Sequence, residues 1–164
     1  MQHTQSATFA SVVLGGLLLT VLGAFGATDG QGFVRTPPEE IVWKDVPGGL
    51  GVQNAVVEGD PTKPGIYVIR VKFPPGVFSR NHYHPEDRHV VVLQGTWYMG
   101  TGDEFTPDKT VPMKTGSYVK HPAGAHHFDG AKNEEVILQI VGYGPSATTR
   151  LRPDQGAFGT WRKP

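Results

Sequence analysis

The chain of 164 residues contains no cysteine. The absence of thiols excludes disulfide bridges, a thiolate nucleophile, a cysteine-ligated zinc or iron–sulfur centre and the modified cysteine of a lipoprotein. The chain also lacks an excess of charge of either sign, because 15 basic residues balance 15 acidic ones. Without a basic excess or a clustered basic stripe, we expect no nucleic-acid partner, and the charge gives no reason to expect an anionic membrane surface as a partner.

Helical periodicity is absent from every window of useful length, and the chain has no long internal repeat. Instead, 22 glycines and 14 prolines divide it into short apolar runs. The run 66–73 alternates, with Arg70 and Lys72 on one face and, on the other, Tyr67, Ile69, Val71 and Phe73. Such alternation predicts a half-buried strand. Several strands of this kind separated by turns predict an all-β sandwich or barrel, and a double-sheet jelly roll is one arrangement that protects the strand edges.

The N-terminal segment has a different composition from the rest of the chain. Residues 1–28 carry no Asp, Glu, Lys or Arg and include an almost continuous apolar run from Phe9 to Ala27. Two small residues near the end of this run, Ala24 and Gly26, match the positions that a signal peptidase reads. We therefore predict that residues 1–27 are a signal peptide and that the protein is exported, to the periplasm or the medium. The alternative is an uncleaved N-terminal anchor helix, because the run is close to the minimum length of a membrane span.

The remainder of the chain divides into three parts by composition. Residues 28–40 are polar, contain Pro37 and Pro38, and are predicted to form a linker or arm. Residues 41–152 contain the predicted strands and form the β-barrel domain. Residues 153–164 are predicted to be a C-terminal tail.

Histidine is concentrated in a short part of the β domain. Of seven histidines, all but His3 lie between residues 82 and 127. His82 and His84 are two positions apart, so on a strand both point to the same face and can bind one ion. A third ligand is available from the adjacent pair at 126–127, of which only one side chain can face the same way on a strand. His121 precedes a proline and is expected to be structural or exposed.

Around these histidines the sequence resembles the cupin superfamily. The first cupin motif, G-x5-H-x-H-x(3,4)-E-x6-G, aligns with Gly76, His82, His84, Arg88 and Gly95. The second motif, G-x5-P-x-G-x2-H-x3-N, aligns with Gly116, Pro122, Gly124, His127 and Ala131. Two signature positions differ, because Arg88 stands in place of the Glu and Ala131 in place of the Asn. The resemblance spans about residues 52–141 and implies a single-domain cupin with a jelly-roll barrel.

The resemblance also implies a metal site. His82, His84 and His127 take the family's three histidine ligand positions, and His126 then points away from the metal. A three-His site with open positions suits one divalent transition metal, Fe, Mn, Zn, Ni or Cu. Because three-His cupins that bind iron often activate O2, the resemblance implies a small-molecule dioxygenase. The alternatives are a metal-assisted isomerase or lyase, and a non-catalytic small-molecule-binding or sensor protein.

Arg88 is the most informative departure from the cupin pattern. A guanidinium cannot be deprotonated in a protein and has no lone pair for a metal. Arg88 can turn outward and pair with Glu86 or Asp87, stay inward and clamp a substrate carboxylate, or replace the metal with an anion site. A bulge after Pro85 would instead bring His89 inward as a fourth ligand. The inward clamp makes Arg88 a candidate catalytic residue.

Gln139 is a second candidate catalytic residue. It is a polar residue in the apolar segment 136–141, where it can line the pocket and hydrogen-bond a ligand. The alternative is that Gln139 lies on a solvated face of the strand. The expected partners are a small-molecule ligand and, by analogy with the family, a second copy of the chain in a homodimer.

The predicted cleavage can be checked on the exported protein. We expect its N-terminus to start near Ala27 or Thr28 when it is determined by N-terminal sequencing and intact mass. Replacing the small residues at the cleavage site, as in Ala24→Leu/Gly26→Leu, is expected to leave the full-length chain uncut. An exported wild-type chain that still begins at Met1 would identify the segment as an anchor.

Overall fold

A computed structural model describes residues 27–162. The predicted signal peptide or anchor falls, apart from Ala27, on residues 1–26, which lie outside the described residues, as do residues 163–164. Within residues 27–162, no helix is long and apolar enough to cross a membrane.

The described residues form short strands connected by turns. Their bounds are β1 Ala27–Thr28, β2 Val34–Arg35, β3 Lys44–Asp45, β4 Gln53–Glu58, β5 Gly65–Phe73, β6 Val77–Tyr83, β7 Arg88–Gln94, β8 Thr96–Thr101, β9 Val111–Lys114, β10 Tyr118–His121, β11 His127–Ala131, β12 Val136–Gly144, β13 Thr149–Arg150 and β14 Phe158–Thr160. Three 3-10 turns occupy Pro38–Glu40, Pro107–Lys109 and Pro153–Gln155. Each of these turns begins with a proline, whose fixed φ suits the first position of a helical turn.

Twelve of the fourteen strands form two antiparallel sheets, which confirms the predicted all-β jelly-roll fold. The first sheet has six strands in the order β10-β7-β12-β5-β4-β3. The second has the order β13-β6-β11-β8-β9, and β14 also pairs with β6. Consecutive strands pair in β3-β4-β5 and β8-β9, whereas β12 with β5 and β11 with β6 bring residues far apart along the chain side by side.

The core lies between the two sheets. The predicted alternation in β5 is present, because Tyr67 and Phe73 are buried while Arg70 and Lys72 are on the opposite face. Trp97 on β8 of the second sheet is fully buried in the same apolar core as Val90, Val92, Val136 and Leu138 of the first sheet. Burial of these side chains is the main favourable contribution to folding.

Strands extend beyond the predicted boundaries of the barrel domain. β1, which joins the last residue of the predicted signal peptide to the first residue of the predicted linker, pairs with β2 as a hairpin. In the predicted tail, β14 pairs with β6, with Phe158 opposite Ser79 and Thr160 opposite Val77. The tail therefore contributes backbone hydrogen bonds to the second sheet. The sequence did not predict this strand, because three residues are too few to show an alternating pattern.

Strand register brings the polar residues of the two motifs together. In the second sheet, His127 on β11 lies opposite His82 on β6. In the first sheet, His121, Arg88, Gly142 and Tyr67 form one row across β10, β7, β12 and β5. Side chains directly opposite each other in a sheet lie on the same face. Both rows face the space between the sheets, where the candidate site lies.

Gly142 leaves space for the ring of Tyr67. A Cβ atom on Gly142 would lie 2.4 Å from the Tyr67 hydroxyl oxygen and 2.5 Å from the ring carbon that bears it. Tyr67 is fully buried, so its ring has little room to move aside. The glycine therefore fixes where the Tyr67 hydroxyl points, and this hydroxyl donates to Glu86.

Gly142→Ala is expected to lower the free energy of unfolding by about 1–3 kcal/mol, because an added methyl group overpacks the buried ring. Chemical denaturation measures this change. Gly30→Ala is the matched control, since nothing lies within 4 Å of a Cβ at that position. Equal effects of the two substitutions would contradict the tight packing of Tyr67 against Gly142.

Candidate metal centre

A cavity of about 420 Å³ lies between the two sheets. One part of its wall is apolar and includes Val52, Ile69, Val71, Phe73, Leu138 and Ile140. The other part carries the polar side chains His82, His84, Arg88, His121, His127, Asp129 and Ser79. A mostly apolar wall with a few convergent polar groups is typical of small-molecule sites.

Three of the predicted ligand residues converge in this cavity: His82, His84 and His127, which we call the histidine triad. One ligand atom from each lies within 4.8 Å of the other two, and all three side chains are buried. Ring centres are 4.3 Å apart for His82 and His127, 4.8 Å for His82 and His84, and 5.2 Å for His84 and His127. His82 belongs to β6, His84 follows the end of that strand, and His127 opens β11.

Backbone carbonyl groups orient the imidazoles of the triad. The Nδ1 atom of His82 lies 2.6 Å from the carbonyl oxygen of Arg80, and that of His127 lies 2.9 Å from the carbonyl oxygen of Ala125. His84 makes the same contact with Ala147 at 2.9 Å. A carbonyl oxygen only accepts, so each Nδ1 carries the hydrogen and each Nε2 carries the lone pair. Histidine ligands of metals are commonly oriented in this way.

The surroundings of the His127 Nε2 atom show whether the triad fits a metal ion. Within the described part of the chain, this atom is buried and has no hydrogen-bond partner. A buried polar atom without a partner is costly and calls for an explanation. A lone pair that faces two other imidazoles in a cavity suits a divalent transition metal, so the residues present fit the ion that the cupin resemblance implies.

Burial in the cavity keeps His82 and His84 neutral. Burial, followed by the charge of Arg88, lowers the pKa of His84 to about 3. Burial is also the first cause for His82, whose pKa falls to about 4 although the Asp129 carboxylate opposes the shift. Metal ligation requires the neutral form of histidine, and these side chains are therefore in the binding-competent form at neutral pH.

Arg88 points into the cavity and is buried. Its Nη1 donates to Nε2 of His84 at 3.1 Å, its Nε donates to a carboxylate oxygen of Glu86 at 2.8 Å, and its Nη2 donates to the hydroxyl of Ser146. The structure therefore combines two arrangements that the sequence left as alternatives, because Arg88 faces inward and is also paired with Glu86. The ion pair compensates the buried charge of the guanidinium.

Glu86 is the counter-charge of Arg88. The two side chains are each only 10% exposed. The hydroxyl of Tyr67 donates to the same carboxylate oxygen of Glu86 at 2.8 Å. Burial by itself raises the pKa of Glu86, but hydrogen bonds, from Ser146 first and Arg88 next, outweigh it and lower the pKa below its ordinary value. The carboxylate therefore stays ionised at neutral pH and holds the guanidinium in place.

His121 is a cavity residue that the sequence analysis missed. It was expected to be structural or exposed, but it is buried, and its ring centre lies 3.9 Å from that of His127. Burial, as the largest cause, lowers the pKa of His121 to about 2. The available signal was the alternation in β10, but the sequence does not show that this strand pairs with β7 and faces Arg88.

Asp129 is a second missed residue. It follows His127 by two positions on β11, is buried, and lines the cavity. The hydroxyl of Ser79 donates to its Oδ1 atom. The spacing of two on a strand was a usable signal, since it is the spacing that paired His82 with His84.

Gln139 is not a cavity residue, which corrects its predicted place. Its neighbours Leu138 and Ile140 line the cavity, so the alternation of β12 directs Gln139 to the opposite face. There its Oε1 atom accepts a hydrogen bond from Nε of Arg70 at 3.2 Å. The alternative that Gln139 lies on the outer face of the sheet matches the structure.

Two other histidines point away from the triad. His126 is partly exposed and its Nδ1 lies 2.6 Å from a carboxylate oxygen of Asp103, in keeping with its expected orientation. His89 is exposed and its Nδ1 lies 2.8 Å from the hydroxyl of Tyr118. The proposed bulge that would bring His89 inward is not present, because β7 keeps its alternation and buries Arg88 instead.

Comparison with known families identifies the domain. The profile described as the ChrR cupin-like domain matches residues 31–147, which include both motifs and the whole triad. A comparison with curated proteins gave no match.

Solved structures share the fold at low sequence identity. The polyketide cyclase RemF from Streptomyces resistomycificus is 15% identical, with 73% of this chain and 85% of that chain covered and a TM-score of 0.61. The DMSP lyase DddQ from Ruegeria pomeroyi DSS-3 is 16% identical, with coverage of 70% and 62% and a TM-score of 0.56. KdgF from Halomonas sp. is 20% identical, with coverage of 66% and 91% and a TM-score of 0.51. At these identities the likeness concerns the fold.

Because these buried histidines are neutral, we expect the metal-free protein to become less stable as the pH falls. Their pKa values are about 4, 3 and 2 for His82, His84 and His121 when folded, against 6.5 when unfolded. The unfolded chain therefore binds more protons below pH 6.5, and each histidine lowers stability by up to about 1.4 kcal/mol per pH unit as the pH falls. We expect the chelator-treated chain to unfold at a lower urea concentration at pH 5 than at pH 7.

Two matched variants measure how much one buried histidine contributes to this pH dependence. His121→Gln is expected to reduce the difference between pH 7 and pH 5, because it removes a buried imidazole that stays neutral in the folded chain. The same change at the exposed His89, which lies outside the cavity, is expected to have a smaller effect. A wild-type chain with equal stability at both pH values would contradict the neutral, buried state of these imidazoles.

Proposed function

The chain belongs to the ChrR cupin-like family, and from this membership we propose that its cavity binds one divalent transition-metal ion together with a small organic ligand. The protein ligands of the ion are His82, His84 and His127. The observation that carries the proposal is the convergence of three oriented imidazoles, of which His127 has a buried Nε2 atom without a partner among residues 27–162.

The cavity wall supports a ligand of limited size and mixed character. Its volume of about 420 Å³ suits a small molecule, and the aliphatic wall suits an apolar body. The polar groups lie together at the triad, so the ligand's polar atoms would face the metal. Arg88 is already engaged by Glu86, Ser146 and His84, so its contribution to ligand binding is limited to the guanidinium hydrogens that these bonds do not use.

We propose that the reaction is a dioxygenation of this ligand. A redox-active ion such as Fe(II) would supply the one-electron chemistry that reaction with O2 requires. The chain's own residues have two roles, since backbone carbonyls hold the imidazoles in one orientation and the apolar wall excludes water from the ligand. With a redox-inert ion the same cavity suits a metal-assisted isomerase or lyase, in which the ion acts as a Lewis acid.

A specific contact favours a second candidate function, a non-catalytic binding or sensor protein. Nη1 of Arg88 donates to Nε2 of His84, which is the atom that this histidine would offer to a metal. A metal ion at the triad must displace this hydrogen bond and lie near a buried cation, which weakens its binding. In this second function the cavity binds its small molecule without turning it over.

We also propose that the protein is exported and forms a homodimer. The apolar, uncharged N-terminal segment supports export to the periplasm or the medium. Exposed apolar side chains on the outer face of the first sheet, such as Val91 and Leu93, support association into a homodimer.

Metal analysis tests the proposed site. We expect the purified, untagged full-length chain to contain about one equivalent of transition metal by mass spectrometry, and His82→Ala/His84→Ala to lower zinc affinity by at least about tenfold. His126→Ala is the matched control because this histidine lies outside the triad. If the metal is iron, oxygen-consumption assays follow; if it is zinc or manganese, isomerase and lyase assays follow. A wild-type chain that takes up no metal after reconstitution would contradict the proposal.

Arg88→Glu extends the same experiment. The substitution removes the cation beside His84 and introduces a carboxylate at the position where the cupin motif has one. Zinc affinity is therefore expected to increase, as measured by equilibrium dialysis. An unchanged affinity would mean that Arg88 does not influence the metal.

A further inference from the structure

A second group of metal-ligating side chains lies beside the histidine triad. It consists of His121, His127 and Asp129, whose ligand atoms lie within 4.8 Å of one another and whose side chains are all buried. The group shares His127 with the triad. His121 and Asp129 are not signature positions of either cupin motif, so the resemblance assigns them no ligand role.

Each member of this group has an atom available for a cation. In the described residues, the Nε2 atoms of His121 and His127 are both buried without a hydrogen-bond partner. Ser79 donates to the Oδ1 atom of Asp129, and this bond does not use Oδ2. The two unpartnered nitrogens and the carboxylate face the same cavity.

The charge of this group also favours a cation. The triad contains no carboxylate, and its His84 accepts a hydrogen bond from the buried guanidinium of Arg88. The second group contains the carboxylate of Asp129 and has no guanidinium bonded to its ligand atoms within residues 27–162. A dication near a carboxylate is electrostatically stabilised, whereas one near a guanidinium is destabilised.

The donor atoms indicate which cations the group would bind. Two imidazoles and one carboxylate are the ligand set of many non-haem Fe(II) sites, while three imidazoles are more typical of zinc. The mixed set therefore suits Fe(II), Mn(II) and Zn(II).

We propose that His121, His127 and Asp129 form a second cation position that overlaps the histidine triad through His127. The Nδ1 atom of His127 is engaged with the carbonyl oxygen of Ala125 at 2.9 Å, which leaves a single lone pair on Nε2. The two positions are therefore alternatives, and the cavity holds one ion at either of them. This inference rests on the proposed function only in that the cavity binds a cation.

Zinc binding to the full-length chain tests the second position. Equilibrium dialysis is performed on chelator-treated wild type and on His82→Ala/His84→Ala, which removes two triad ligands and leaves the second group intact. We expect the double variant to retain about one equivalent of zinc. Adding His121→Ala or Asp129→Asn to it is expected to weaken the remaining binding by at least about tenfold.

Two controls separate ligation from folding. Ser79→Ala in the same double variant removes the hydrogen bond to Asp129 but keeps the carboxylate, so zinc binding is expected to persist. His126→Ala removes a nearby histidine that belongs to neither group and is expected to have no effect. Urea denaturation of each variant verifies that it is folded, and His121→Ala provides the test if Asp129→Asn does not fold.

The outcomes distinguish this inference from the proposed function. If the wild type binds zinc and the double variant binds none, the second position is refuted and the triad stands. Retained zinc that neither His121→Ala nor Asp129→Asn weakens also refutes the second position. If the double variant binds as tightly as the wild type and Asp129→Asn weakens it, the second position is supported and the triad is not the metal site. A wild type without zinc affinity refutes both.

Discussion

The buried ion pair between Arg88 and Glu86 is the interaction on which the site depends. A guanidinium between two sheets requires a counter-charge, and Glu86 provides it at 2.8 Å. The same pair determines the hydrogen bond of Arg88 to His84 and is oriented by the hydroxyl of Tyr67, which itself packs against Gly142. The arginine that replaces the glutamate of the cupin motif is therefore part of a polar network that joins β7 and β5 to the loops after β6 and β12.

The rest of the cavity is organised around the imidazoles. Backbone carbonyls accept from the Nδ1 atoms of the triad and leave the Nε2 atoms for other partners. Burial keeps His82, His84 and His121 neutral, and it also makes an unpartnered nitrogen costly. A bound cation would satisfy these nitrogens without an additional protein side chain. The close packing of four histidines and one aspartate is therefore more consistent with ligand binding than with packing alone.

Much of the fold and part of the site could be predicted. The alternation of β5, the H-x-H spacing and the turn glycines are local patterns, and they led to the jelly roll and to the three histidines. Gln139 was misplaced because a single polar residue does not reveal which face of a strand is buried. His121 and Asp129 were missed because their significance depends on neighbours in other strands: His121 pairs across β10 and β7 with Arg88, and Asp129 accepts from Ser79 on β6.

The amino-acid sequence by itself determined the strand-rich fold class, the family motifs and the spacing that places His82 and His84 on one face. These features depend on residues close together along the chain, because the alternation of side chains along a strand and the backbone conformation of glycine are local properties. The tertiary structure decided that Arg88 faces inward with Glu86 as its partner, and that His121 and Asp129 join His127. These contacts depend on the register between strands far apart in the sequence, which backbone pairing establishes only when both sheets assemble.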